Sequence, residues 1–147
     1  MSQTFSEADG RRVVAVNTAT EIGEVKSFVV DPTSARITAI QIGGRGGRAD
    51  LVEWDHIEAF GDDAVMVVHD EAVHQPDERE KDAVKGEIRL RDSKVLDTAG
   101  FEHGTVADVM FDPATGAILG VLTTEGHIGA DRLISLGSYA LVIQSED

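Results

Sequence analysis

A ten-residue phrase occurs twice in this chain, and the duplication restricts the available folds more than any local pattern does. Gly23-Glu24-Val25-Lys26-Ser27-Phe28-Val29-Val30-Asp31-Pro32 returns as Gly104-Thr105-Val106-Ala107-Asp108-Val109-Met110-Phe111-Asp112-Pro113. Ile37 and Ile40 follow the first occurrence, Ile118 and Val121 the second. Gly23 to Gly104, Asp31 to Asp112 and Ile37 to Ile118 are all 81 residues apart. Self-similarity at a fixed interval defines a repeated structural unit before any strand or helix is assigned.

The likeness runs on. Trp54-Asp55-His56-Ile57-Glu58-Ala59-Phe60-Gly61 and then Ala64-Val65-Met66-Val67 answer to Ala130-Asp131-Arg132-Leu133-Ile134-Ser135-Leu136-Gly137 and Ala140-Leu141-Val142-Ile143. Here the interval is 76 residues, from Asp55 to Asp131, so the second repeat is shorter by five. The deletion falls opposite Gly43-Gly44-Arg45-Gly46-Gly47-Arg48, a surface connection where a change of length costs little.

Each repeat has roughly 60–70 residues, a size that buries only about 60% of the surface its unfolded chain exposes. Units that small are marginal alone. The repeats are therefore expected to pack on one another, or on another subunit.

Composition closes several routes. The chain has no cysteine, which excludes disulfides, thiolate metal sites and thiol catalysis. No apolar run reaches the roughly 20 residues that span a bilayer. The segment Met1-Ser2-Gln3-Thr4-Phe5-Ser6-Glu7 lacks the basic and apolar parts of a signal peptide, so a cytoplasmic location is expected. Formal net charge is −14 with a pI near 4.6. Nucleic-acid binders draw affinity from lysines and arginines that displace counterions. A surface this acidic repels phosphates, and no direct nucleic-acid partner is expected.

Short β-branched runs bounded by turn residues dominate the pattern, so an all-β fold is expected. Val13 to Val16 is one such run; Val25, Phe28 and Val30, then Ile37, Ile40 and Ile42, supply two more. In Asp112-Pro113-Ala114-Thr115-Gly116 the aspartate can accept from its own backbone, the proline presets φ, and the glycine supplies a left-handed residue. A β-hairpin follows from that turn. The first repeat has Ala35 where the second has Gly116; an alanine in the same conformation carries strain of about 1 kcal/mol. Pro76 to Lys85, with its early proline, leading acids and trailing lysines, is expected to form one or two helical turns in a charged linker. The expected organisation is a first repeat over 1–69, a linker over 70–85 and a second repeat over 86–147.

These motifs resemble the PRC-barrel family. The resemblance rests on Gly23-x-Val25, Asp31-Pro32, Trp54-Asp55-His56-Ile57 and Gly61-Asp62-Asp63-Ala64-Val65-Met66-Val67 in the first repeat. In the second it rests on Gly104-x-Val106, Asp112-Pro113-Ala114-Thr115-Gly116, Asp131-Arg132-Leu133-Ile134 and Gly137-Ser138-Tyr139-Ala140-Leu141-Val142. It implies two small, strongly bent antiparallel β-barrels in tandem, related by an internal pseudo-twofold and joined by a short helical linker. The family includes the cytoplasmic domain of the photosynthetic reaction-centre H subunit and a domain of a ribosome-maturation factor. What its members share is docking onto other macromolecules, so the resemblance implies no catalytic residue and no cofactor. The second repeat departs from the pattern at Ala130, where the tryptophan is missing.

Candidate sites are few. His56, His69, His74, His103 and His127 form no His-x-His or His-x-x-x-His pair, and no metal site is expected. Asp62-Asp63 and Asp70-Glu71 sit at turns, where solvation keeps carboxylates ordinary. The Gly43 to Arg48 loop lacks the Lys-Ser/Thr of a phosphate loop, although Arg45 and Arg48 are candidates to touch an acidic partner. Trp54 and Phe60 are expected in the core. Phe101 and Tyr139 lie at turns and are the aromatic candidates for partner contact, the other uses open to them being to cap a barrel end or to pack between repeats.

The sequence thus points to a non-enzymatic protein-interaction adaptor that meets another protein, or a further copy of itself, through a barrel face or strand edge. Two other classes stay open: association with the ribosome or RNA processing through a basic ribosomal protein, and binding of a small ligand in a barrel mouth.

Overall fold

The computed structural model describes residues 2–43, 49–75 and 89–146. Arg45, Arg48 and the helical turns expected over 76–85 lie outside them. Described residues begin with a short arm, β1 (Gln3–Thr4) followed by α1 (Phe5–Ala8). Thr4 caps α1 reciprocally: its side chain accepts from the Glu7 N–H, and the Glu7 carboxylate accepts from the Thr4 N–H.

The first repeat builds one sheet from β2 (Arg12–Ala15), β3 (Thr20–Asp31), β4 (Arg36–Gly43), β5 (Ala49–Glu53), β6 (Ile57–Phe60), β7 (Ala64–Val67) and β8 (Val73–His74), in the order β6-β7-β2-β3-β4-β5-β8. The second uses β9 (Lys94–Asp97), β10 (Glu102–Phe111), β11 (Ile118–Thr123), β12 (Gly126–Gly129), β13 (Leu133–Leu136) and β14 (Leu141–Ile143), in the order β12-β11-β10-β9-β14-β13. Read from the other end, the second order reproduces the first strand for strand, except that β8 has no counterpart among the described residues.

Even the irregularities recur. β3 has register shifts between Val25 and Ser27 and between Val29 and Val30; β10 has them between Val106 and Asp108 and between Met110 and Phe111, each 81 residues on. Bulges add twist and bend a strand, which is how a single sheet of this size curls over its own core. Pairing is antiparallel save for one join per repeat, β2 with β7 and β9 with β14, which are parallel. The short hairpin of β6 and β7 returns to the strand on which the repeat began, so β7 runs in the direction of β2.

The repeats do not merely touch. β1 pairs with β10, Gln3 opposite Phe111 and Thr4 opposite Met110, so the arm preceding the first repeat extends the sheet of the second. Ser6 donates its N–H and hydroxyl to the Asp108 carboxylate, and Arg91 bonds Asp9 at 2.7 Å. Burial pushes the Asp108 carboxyl up, but the bonds from Ser6 and Val109 and the charge of Arg91 bring it below the usual range. The Asp9 hydrogen bond and charge outweigh burial at Arg91 and raise it.

The two Asp-Pro hairpins also meet. Arg36 bridges Ala117, its own equivalent at the 81-residue interval. The Ile37 N–H donates to the Gly116 carbonyl and the Ile118 N–H to the Ala35 carbonyl, both at 2.8 Å. Interchanging the repeats exchanges these two bonds, so the junction is locally two-fold in its pairing.

Side chains fuse the halves further. Phe111 enters an aromatic group from the first repeat and the arm, with ring centroids 5.3 Å from Phe60, 5.6 Å from Phe28, 5.7 Å from Phe5 and 6.5 Å from Trp54. Phe5 stacks on Phe28 at 3.9 Å. Trp54 and Phe60 are buried, as expected of large rings in a small barrel. One hydrophobic cluster runs from Val13 and Ile40 through Phe111 to Val121 and Ile143.

Candidate functional site

Internal duplication supplies a built-in control: each surface residue of one repeat can be compared with its equivalent in the other. Among the described residues, the exposed large hydrophobic side chains of the second repeat are Phe101, Leu119, Ile134 and Tyr139. At the same intervals the first repeat carries Thr20, Thr38, Glu58 and Asp63, all exposed. The framework is shared, so neither folding nor curvature demands apolar groups there. In the first repeat only Val16 is of this kind, and its equivalent in the β9–β10 turn is Thr98.

Phe101 is the most deliberately placed. It sits in the turn between β9 and β10, 68% exposed, on a backbone held from several directions. The Asp97 N–H donates to the Phe101 carbonyl at 2.9 Å. In return Asp97 Oδ1 accepts from the N–H groups of Ala99 (2.9 Å) and Phe101 (3.0 Å), while Oδ2 meets His103 Nε2 at 2.7 Å. Thr98 Oγ1 accepts from the Ser145 N–H, at 3.1 Å, and pins the C-terminal segment against the same turn. The first repeat has Ala15 and Ile22 where the second has Asp97 and His103, so this bracing belongs to the second repeat.

The hydrogen bond with His103, joined by those from Phe101 and Ala99, holds the Asp97 carboxyl below its usual range despite the cost of desolvation. Its side chain keeps 7% of its exposure, covered by its neighbours in the turn and not by depth in the protein.

Tyr139 is 73% exposed, in the turn between β13 and β14, with Lys94 Nζ 4.8 Å from its ring centroid. Neither Tyr139 nor Phe101 packs between repeats. They do not adjoin each other either. β14 lies parallel to β9 with Leu141 beside Val95 and Ile143 beside Asp97; Tyr139 precedes that pairing and Phe101 follows it, at opposite ends of the sheet. Leu119 on β11 and Ile134 on β13 escape a search for aromatic turns. Aligning the repeats residue by residue exposes them, because each replaces a polar side chain.

Other clusters lead nowhere chemical. The rings of His56 and His69 are 6.4 Å apart, and His74 Nε2 lies 3.0 Å from Glu53 on the surface. No group of three or more metal-binding side chains occurs among the described residues. Asp62, Asp63, Asp70 and Glu71 are exposed. No helix among the described residues is long and apolar enough to cross a membrane.

Compared with known proteins, the chain matches a family model described as PRC-barrel domain over residues 4–74 and 89–147, segments that contain the two sheets. No curated protein matches it.

Proposed function

Because the chain belongs to the PRC-barrel domain family, with the barrel present twice, we propose that it is a non-enzymatic cytoplasmic adaptor whose first repeat is scaffold and whose second meets a partner protein. The observation that carries this reading is the replacement of Thr20, Thr38, Glu58 and Asp63 by Phe101, Leu119, Ile134 and Tyr139 on one shared framework. Apolar side chains exposed on an acidic chain serve contact better than solubility, and aromatic anchors dominate binding energy at interfaces. The braced Phe101 turn adds preorganisation, which lowers the entropic cost of association. With a net charge of −14, the partner's contacting surface is apolar with a basic surround, and encounter is faster at low salt.

A graft between repeats tests this. Full-length chain carrying Phe101→Thr, Leu119→Thr, Ile134→Glu and Tyr139→Asp is compared with wild type for partner capture from the native lysate. Retention should fall at least about tenfold, with circular dichroism unchanged, whereas Val16→Thr in the first repeat leaves it intact. Equal retention by the graft and wild type contradicts the docking role of the second repeat.

A further inference from the structure

The two sheets differ at one edge. In the first repeat β8 covers the outer side of β5, with Leu51 opposite His74 and Val52 opposite Val73. In the second, β12 ends the sheet among the described residues. Its residues occupy equivalent places: Leu122–His127 and Val121–Ile128 pairing repeats Gln41–Leu51 and Ile40–Val52. We infer that β12 receives an extended, basic-flanked segment of another protein as an added antiparallel strand opposite His127 and Ile128, a claim that rests on the docking role proposed above.

The molecule itself shows what such a cover looks like. Beside β5 the covering segment runs Ala72-Val73-His74, with Ala72 6% exposed and Val73 packed against the core. The occupant of β12 therefore presents a small residue followed by a β-branched one. Charge sets its flanks. Gly126-His127-Ile128-Gly129 carries no acidic or basic residue other than His127, but exposed Glu125 and Asp131 bracket it, so lysines or arginines fit where β8 is preceded by Asp70 and Glu71. A second copy of this chain, also at −14, meets repulsion there. Native proteins protect open edges with charge, proline or a cover; the uncovered β6 edge of the first repeat has Glu58, and β12 has no such device. Main-chain pairing then supplies affinity and alternate side chains supply selectivity.

The probe is the peptide acetyl-Lys-Lys-Ala-Val-His-Lys-amide, titrated into isotopically labelled full-length chain, beside a version N-methylated on the alanine and histidine nitrogens. Shift changes and slowed amide exchange should concentrate on residues 126–129 at roughly millimolar peptide, the range for a short strand, and weaken at least tenfold for the N-methylated version. No response at β12, equal binding of both peptides, response at β13 instead, or concentration-dependent pairing of β12 with another copy each overturns the inference. If the peptide fails while the graft still abolishes partner capture, the docking role stands and only the edge assignment falls; if both fail, both fall.

Discussion

Ala19 and Ala35 hold φ of 55° and 52°, and the residues at the same interval in the second repeat are Gly100 and Gly116, at 90° and 79°. Left-handed backbone costs a side-chain-bearing residue about 1–2 kcal/mol, part of which glycine forfeits through its freer unfolded chain. Ala19 is exposed, so nothing offsets its strain. Ala19→Gly should stabilise the protein by roughly 0.5–1 kcal/mol, seen as a rise of about 1–4 °C in Tm; a fall would mean the methyl makes contacts that matter. Ala35 packs against the core, and Ala35→Gly should therefore gain less. A Cβ at Gly116 would stand 2.8 Å from the Trp54 ring, so that glycine answers to a neighbour as well as to φ. Under the local exchange of repeats, the counterpart of Trp54 over Gly116 is Ala130 over Ala35, and the smaller side chain leaves room for a methyl. The left-handed state of Ala35 was legible from Asp31-Pro32 and its duplicate. The close approach of Trp54 was not, because it joins residues from different repeats.

Elements were legible wherever the sequence repeats and obscure wherever the repeats cooperate. Valine alternation and the Asp-Pro turns located β3, β4, β10 and β11, and the expected aspartate bonds are present, Asp31 accepting from Thr33 and Asp112 from Ala114. The pairing of β1 with β10 had no local signal, since two residues of strand are shorter than any hydrophobic period. The same holds for β8. The β9–β10 turn shows how a local device serves an exposed side chain. Asp97 titrates below its unfolded value, so its stabilising effect is complete above the ordinary carboxylate range, near pH 4, and fades as pH drops through the folded value. Asp97→Asn should lower the urea midpoint at pH 7, and the gap to wild type should narrow towards pH 3. The variant should also speed exchange of the Phe101 amide. A gap that widens in acid would show that the carboxylate is not what holds the turn.

At the scale of the whole molecule, the repeats are one folding unit with an unequal surface. Duplication was plain in the sequence, and so was the need of two marginal units for mutual cover. The docking candidates were half legible: Phe101 and Tyr139 stood out as aromatics at turns, while Leu119 and Ile134 became conspicuous once burial was known. The depth of the fusion was not legible, because Phe111 replaces the smaller Val30 of the first repeat and its ring reaches Phe5, Phe28, Trp54 and Phe60. Truncating so central a ring typically costs about 3–5 kcal/mol. Scanning calorimetry of the full chain beside Phe111→Ala tests the shared core most directly. One transition is predicted, with calorimetric and van't Hoff enthalpies equal, and Phe111→Ala should move that whole transition downward. Two separable transitions in the wild type, or a variant in which one half melts early while the other keeps its Tm, would contradict it.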